Sequence, residues 1–215
     1  MLRILALMGL LSIAACTNPD DLDQQPAYLG NFQLGHAVVV APNLTRGPAS
    51  RPATKAEWTS AMTDAITDRF SRYEGGKLYH LGVSLEGYVL AVPGVPLVLS
   101  PKSALILNVT AWDDAAGEKL NPETHMVTVV ESVSAETFIG SGLTQSREAQ
   151  LENLTLNAAK QIETWLRRQN DTLGWFEDDD RPAAGKPTSD RSGPRPADRP
   201  ALPADTAEAG EPATQ

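Results

Sequence analysis

Three histidines, a Gly-Ser-Gly stretch and a pair of aspartates are the groups in this chain whose types could do chemistry. His36, His80 and His125 are scattered, with no i, i+4 pair and no cysteine partner of the kind a zinc site uses. They read as solvated or hydrogen-bonded histidines, and no metal is expected. Gly140-Ser141-Gly142 lacks the flanking pattern of a nucleophile elbow and reads as a turn into a helix. Asp113-Asp114 looks like a carboxylate pair, but it stands before Ala115-Ala116-Gly117, where Asp is favoured because its carboxylate bonds nearby backbone. The Asn-x-Thr triplets at Asn43, Asn108, Asn153 and Asn170 read as chance matches, since Asn108 falls in a strand pattern and Asn153 in a helical one. No Gly-rich phosphate loop occurs. The chain is therefore expected to have no catalytic residue and no cofactor, and not to be an enzyme.

One residue stands apart. The single cysteine, Cys16, directly follows an apolar run from Ile4 to Ala15, with Arg3 the only charge before Asp20. A spanning helix needs roughly 20 apolar residues, so this run is too short to cross a membrane and stay. A charged start, an apolar middle and small residues before a break describe an export signal. A buried N-terminal helix would instead show an amphipathic stripe, and Leu2 to Ala15 is apolar all round.

Ile13-Ala14-Ala15-Cys16 resembles the lipobox of bacterial lipoproteins, over residues 1 to 17. The resemblance implies that residues 1–15 are cut away, that the Cys16 thiol carries a diacylglyceryl group, and that its new amine is acylated. Each buried methylene contributes about 0.8 kcal/mol, so one acyl chain holds marginally and several hold stably. Lipoproteins with aspartate after the cysteine are often kept in the inner membrane. Thr17 stands there instead, which implies the outer membrane, facing the periplasm.

The formal net charge of −9 leaves no electrostatic footprint for nucleic acid and gives no attraction to anionic lipid. With Cys16 acylated, no thiol remains for a disulfide or for cysteine catalysis. Composition divides the mature chain into a polar tether over 16–33, a domain over 34–176, and a tail over 177–215. The tail is built from Pro, Ala, Asp and Gly without an aromatic residue, so it cannot bury enough area to offset ordering entropy and is expected to be disordered.

Within the domain, His36 to Ala41 reads as a buried strand closed by Pro42. Thr54 and Glu57 make a capping box for a helix whose stripe is Trp58, Met62, Ala65, Ile66, Arg69, Phe70 and Tyr73, stopped by Gly75-Gly76. Lys77 to Ala91 alternates, with Leu81, Val83, Leu85 and Val89 on one face. Ser103 to Asp113 alternates too, with Leu105, Leu107, Val109 and Ala111 on one face. A hairpin register placing Leu85 across from Val109 and Glu86 across from Asn108 matches the apolar faces. MVTVVESV supplies a fourth strand. A second helix carries Leu151, Leu154, Ala158, Ile162, Trp165 and Leu166 inside, with Glu152, Lys160, Glu163 and Arg167 outside. The expected fold is α+β: a two-layer sandwich of order β-α-β-β-β-α, with two helices on one face of a mostly antiparallel four-stranded sheet.

Behind a lipobox, this element order loosely resembles small periplasmic accessory lipoproteins. These include the lipopolysaccharide-assembly lipoprotein, activators of peptidoglycan synthases, auxiliary lipoproteins of envelope transporters, and uncharacterised lipoproteins of the same shape. The resemblance implies a membrane-anchored periplasmic protein that acts by binding an envelope protein, as an accessory part of an assembly or transport complex. The alternatives are a structural lipoprotein without a specific partner and a hydrolase. The candidate partner surface is the second sheet face, where alternation puts Tyr88, Ile106 and Trp112, with Leu78 and Leu90, among polar residues. Against it stands the reading that Trp112 covers Gly82 and a loop covers the rest.

Overall fold

Thr54 begins the first helix as its spacing predicts. Its hydroxyl accepts from the Glu57 amide while the Glu57 carboxylate accepts from the Thr54 amide at 2.7 Å. Two orphan donors at the helix end are thereby satisfied. The computed structural model describes residues 19–92, 102–131 and 146–178. The signal segment, the lipobox with Cys16, the loop over 93–101, Gly140-Ser141-Gly142 and the tail beyond 178 lie outside the described residues.

In chain order the elements are β1 (Phe32–Val40), β2 (Thr45–Arg46), α1 (Lys55–Phe70), β3 (Lys77–Val89), β4 (Ala104–Asp113), β5 (Glu118–Lys119), β6 (His125–Val130) and α2 (Arg147–Leu173). No described helix is long and apolar enough to cross a membrane. The α+β class and the two helices stand as expected, but the sheet has six strands among the described residues, not four. The extra two, β2 and β5, are two-residue pieces, too short to show any period. β2 continues along β3 beyond β1, and β5 runs along β4 beyond β6. The sheet is mixed: β1 and β2 run parallel to β3, and the other pairs are antiparallel. Between β5 and β6 the buried Asn121 takes the place of a strand. Its Oδ1 accepts from the Ala111 amide at 2.8 Å and its Nδ2 donates to the Val109 carbonyl at 3.0 Å.

The hairpin of β3 and β4 keeps the expected parity but is slid by two residues. Leu85 faces Leu107, and Val83 faces Val109. A two-residue slide leaves every side chain on its own face, which is why alternation alone cannot distinguish the two registers. The inner face is dry: Leu81, Val83, Leu85, Leu105, Leu107 and Val109 meet Trp58, Met62, Ile66 and Phe70 from α1 and Leu154, Ala158, Ile162 and Leu166 from α2.

The core reaches into the expected tether. Leu29 and Phe32, placed there by composition, are each 1% exposed, and Phe176, the last residue of the expected domain, is fully buried. Phe32 sits between rings, its centroid 5.1 Å from Phe176, 5.5 Å from Tyr79 and 5.6 Å from Tyr73. Two apolar residues in a polar stretch are a weak compositional signal, and here they close one end of the core. Gly75 makes that closure possible. Its amide donates to the Phe32 carbonyl, and a Cβ there would lie 2.2 Å from the backbone of Asn31. Gly174 ends α2 in the left-handed region at φ 64°, turning the chain so that Phe176 enters the core.

Candidate functional site

The outer face of the sheet is the most unusual surface of the domain. Directly opposed residues point to the same side, so the register defines its rows. Val38 lies beside Gly82 and Thr110. Val40 lies beside Ser84, Asn108 and Met126. His80 lies beside Trp112, and Ile106 beside Thr128. Exposed on this side are Val38, Val40, Leu78, Ile106, Trp112, Met126 and Val130. Ile106 and Trp112 are thus where alternation puts them, 38% and 36% exposed. Trp112 stands opposite His80, and the space above Gly82 is met by Thr110, so Trp112 is not the cover of that glycine.

Tyr88 does not belong to this surface. The register shifts between Leu85 and Gly87, and a bulge there adds one residue to β3. One extra residue inverts the alternation beyond it. Tyr88 and Leu90 therefore turn inward and are buried, while Val89 leaves the inner face. The Tyr88 ring packs on Trp58 at 5.0 Å, and its hydroxyl donates to the Ala53 carbonyl at 2.9 Å. The candidate surface keeps Ile106 and Trp112 and gains Val38, Val40, Met126 and Val130 from the edge strands.

At one corner of this face two histidines come together. The His36 ring stacks on His80 at 5.1 Å, the His36 amide donates to His80 Nδ1 at 3.0 Å, and His80 Nε2 lies 2.9 Å from Asp114 Oδ1. With Nδ1 accepting from the backbone, the ring proton sits on Nε2 and is donated to Asp114. Both nitrogens are used by the fold, which leaves neither for a base or a metal bond. His125 is elsewhere, stacked on Trp165 at 4.4 Å, with its pKa lowered by burial and by Arg168. Among the described residues no cluster of His, Cys, Asp and Glu is arranged to hold a metal ion. Asp113 closes its turn by accepting from the Ala116 amide.

The strongest polar constellation is one that the sequence pattern placed on the wrong side. Glu163, expected outside α2, is 1% exposed, as is Arg69 of α1. Arg69 Nη1 donates to Glu163 Oε2 at 3.1 Å, Lys160 Nζ to the same oxygen at 2.7 Å, and the Tyr73 hydroxyl to Oε1 at 2.7 Å. Arg72 reaches Oε1 at 3.4 Å. Burial, then the bond to Glu163, pushes the Tyr73 phenol far up, so it stays a donor. The second carboxylate comes from the N-terminal stretch. Asp21 bonds Arg69 at 2.9 Å and Lys160 at 2.5 Å. Burial raises its pKa, but the bonds from Lys160 and Arg69 outweigh this and leave it below the ordinary 3.8. Arg69 also binds the Pro19 carbonyl at 2.8 Å, and Arg72 binds those of Leu22 at 3.1 Å and Gln24 at 3.0 Å. Arg69 on α1, Arg72 just past its cap and Lys160 on α2 thus hold residues 19–24 by both side chain and backbone. A cue was present in the chain: Arg69 lies inside the apolar stripe of α1, and a cation there needs a buried partner on the facing helix.

Neither a protein-family model nor a curated protein sequence matches the chain significantly. Solved structures do show similarity. A Xanthomonas campestris protein of family DUF330 is 14% identical, with 69% of this chain and 91% of that one covered and a TM-score of 0.41. A minor lipoprotein from Acinetobacter baumannii is 15% identical over 62% of this chain and 90% of its own, with a TM-score of 0.25. The PelC dodecamer from Paraburkholderia phytofirmans is 9% identical over 63% and 90%, with a TM-score of 0.35. A bacterial lipoprotein is thus among the structures to which the chain is similar. Identities and scores this low leave the function to be argued from the residues.

Proposed function

We propose that this protein is anchored by lipid on Cys16 in the outer membrane, faces the periplasm, and acts by binding an envelope protein as an accessory part of an assembly or transport complex. The anchor rests on the lipobox resemblance. The binding role rests on one observation: the side of the sheet that no described helix covers carries Val38, Val40, Ile106, Trp112, Met126 and Val130, where a solvated sheet face normally carries polar residues. These apolar groups stand among Ser84, Asn108, Thr110 and Thr128 on the same face, and a tryptophan in such a setting is a residue type that often carries interface energy. The His80 nitrogens, engaged with His36 and Asp114, give no support to a hydrolase.

The test is a photocrosslinker at position 110, beside Val38 and Gly82 in the middle of the face. In cells it is expected to capture one specific envelope protein. Trp112→Ala is expected to reduce that capture strongly, at a folding cost of about 1–2 kcal/mol, since the ring is 36% exposed and loses its partly buried area. Absence of any capture, together with a large loss of stability in Trp112→Ala, would show that the face is covered from within and is not a binding surface.

A further inference from the structure

The stretch after the anchor is not a free tether. We infer that residues 19–24 form a clasp that fixes the domain on the bilayer, with the helix layer toward the lipid and the open sheet face away from it. The inference deepens the proposed function and rests on lipidation at Cys16.

The argument is one of length. Only three residues carry the chain from Cys16 to Pro19, so an anchored Cys16 lies at most about 11 Å from the point where Arg69 holds the Pro19 carbonyl. Without the clasp, the first fully buried residue is Leu29, thirteen residues from Cys16, which would allow roughly 45 Å of reach. A domain of this size has a radius of gyration of about 14 Å, so the longer reach would let it tumble freely and the shorter one would not.

The clasp also has a side. Arg69 stands on α1, Arg72 lies just past its cap and Lys160 stands on α2, so both helices hold residues 19–24. The helices cover one face of the sheet, so a short leash on their seam turns the opposite face outward. The layer carries mixed charge, with Asp64 and Asp68 exposed on α1 and Arg167 and Arg168 exposed on α2, so the orientation is assigned to the leash and not to attraction between this layer and lipid.

The experiment uses the acylated full chain in phosphatidylcholine vesicles that contain a headgroup quencher. A fluorophore is attached through Asp64→Cys on the outer side of α1 or through Thr110→Cys on the sheet face; Cys16, being acylated, does not compete for the label. Quenching is expected to be several-fold stronger at position 64 than at position 110. A flexible Gly/Ser insertion of about ten residues between Thr17 and Asn18 adds on the order of 17 Å without touching the clasp, and is expected to abolish the contrast. Asp21→Ala is expected to reduce it as well. Should Asp21→Ala fail to fold, the insertion alone decides. Equal quenching at both positions in acylated, vesicle-bound protein would overturn the clasp while leaving the anchor intact, as would a contrast that survives the insertion. A chain found to carry no acyl groups would overturn both.

Discussion

Glu163→Ala is expected to destabilise the domain by about 3–5 kcal/mol, the usual effect of removing one partner from a buried ion pair. The side chain is 1% exposed and accepts from Arg69, Lys160, Arg72 and the Tyr73 hydroxyl. Its removal leaves the Arg69 guanidinium buried, with Asp21, 20% exposed, as its one remaining carboxylate among the described residues, and leaves a buried phenol without that acceptor. Most of the loss is therefore the penalty of an uncompensated charge and not the value of the bonds themselves. Glu163→Gln should be milder, since the amide keeps an acceptor oxygen for Tyr73. Urea unfolding of a form beginning at Asn18 measures both. A loss below about 1 kcal/mol for Glu163→Ala would place the carboxylate in contact with water.

Leu154→Ala and Ile162→Ala are each expected to cost about 2–5 kcal/mol, from lost transfer energy plus the cavity left behind. Both residues are fully buried on the face of α2 that meets the sheet and α1. Their spacing puts them two turns apart, so the pair tests the seating of the helix and not a single local contact. The same unfolding experiment serves. If both changes fall below about 0.5 kcal/mol, the range of ordinary surface substitutions, α2 is not packed on this sheet.

These two cases show what could be seen in the chain before its fold. Leu154 and Ile162 repeat at helical spacing among polar residues, and the period alone assigns them to the core. Thr54 and Glu57 are equally legible, because a capping box is written in four consecutive residues. Alternation in β3 and β4 gives the inner face correctly as far as Leu85. Beyond that point the bulge before Gly87 turns Tyr88 inward, and one inserted residue has no signature in a run of alternating side chains. The strands β2 and β5 escape because two residues have no period. Glu163 escapes for another reason. Polarity predicts exposure, whereas its burial depends on Arg69, 94 residues earlier in the chain. The open face was partly legible in Ile106 and Trp112. Its remaining members, Val38, Val40, Met126 and Val130, depend on the edge strands taking their places beside β3 and β4.

The site of action, the outward sheet face and the clasp all depend on what happens at Cys16. Mass spectrometry of the N-terminal peptide purified from cell envelopes tests this most directly. The account predicts a mature chain that begins at Cys16 and carries a diacylglyceryl group on sulfur and an acyl chain on the amine, with Cys16→Ser accumulating as a precursor that keeps residues 1–15. A mature N-terminus at any other residue, or a Cys16 free of acyl groups in the wild-type protein, would contradict it.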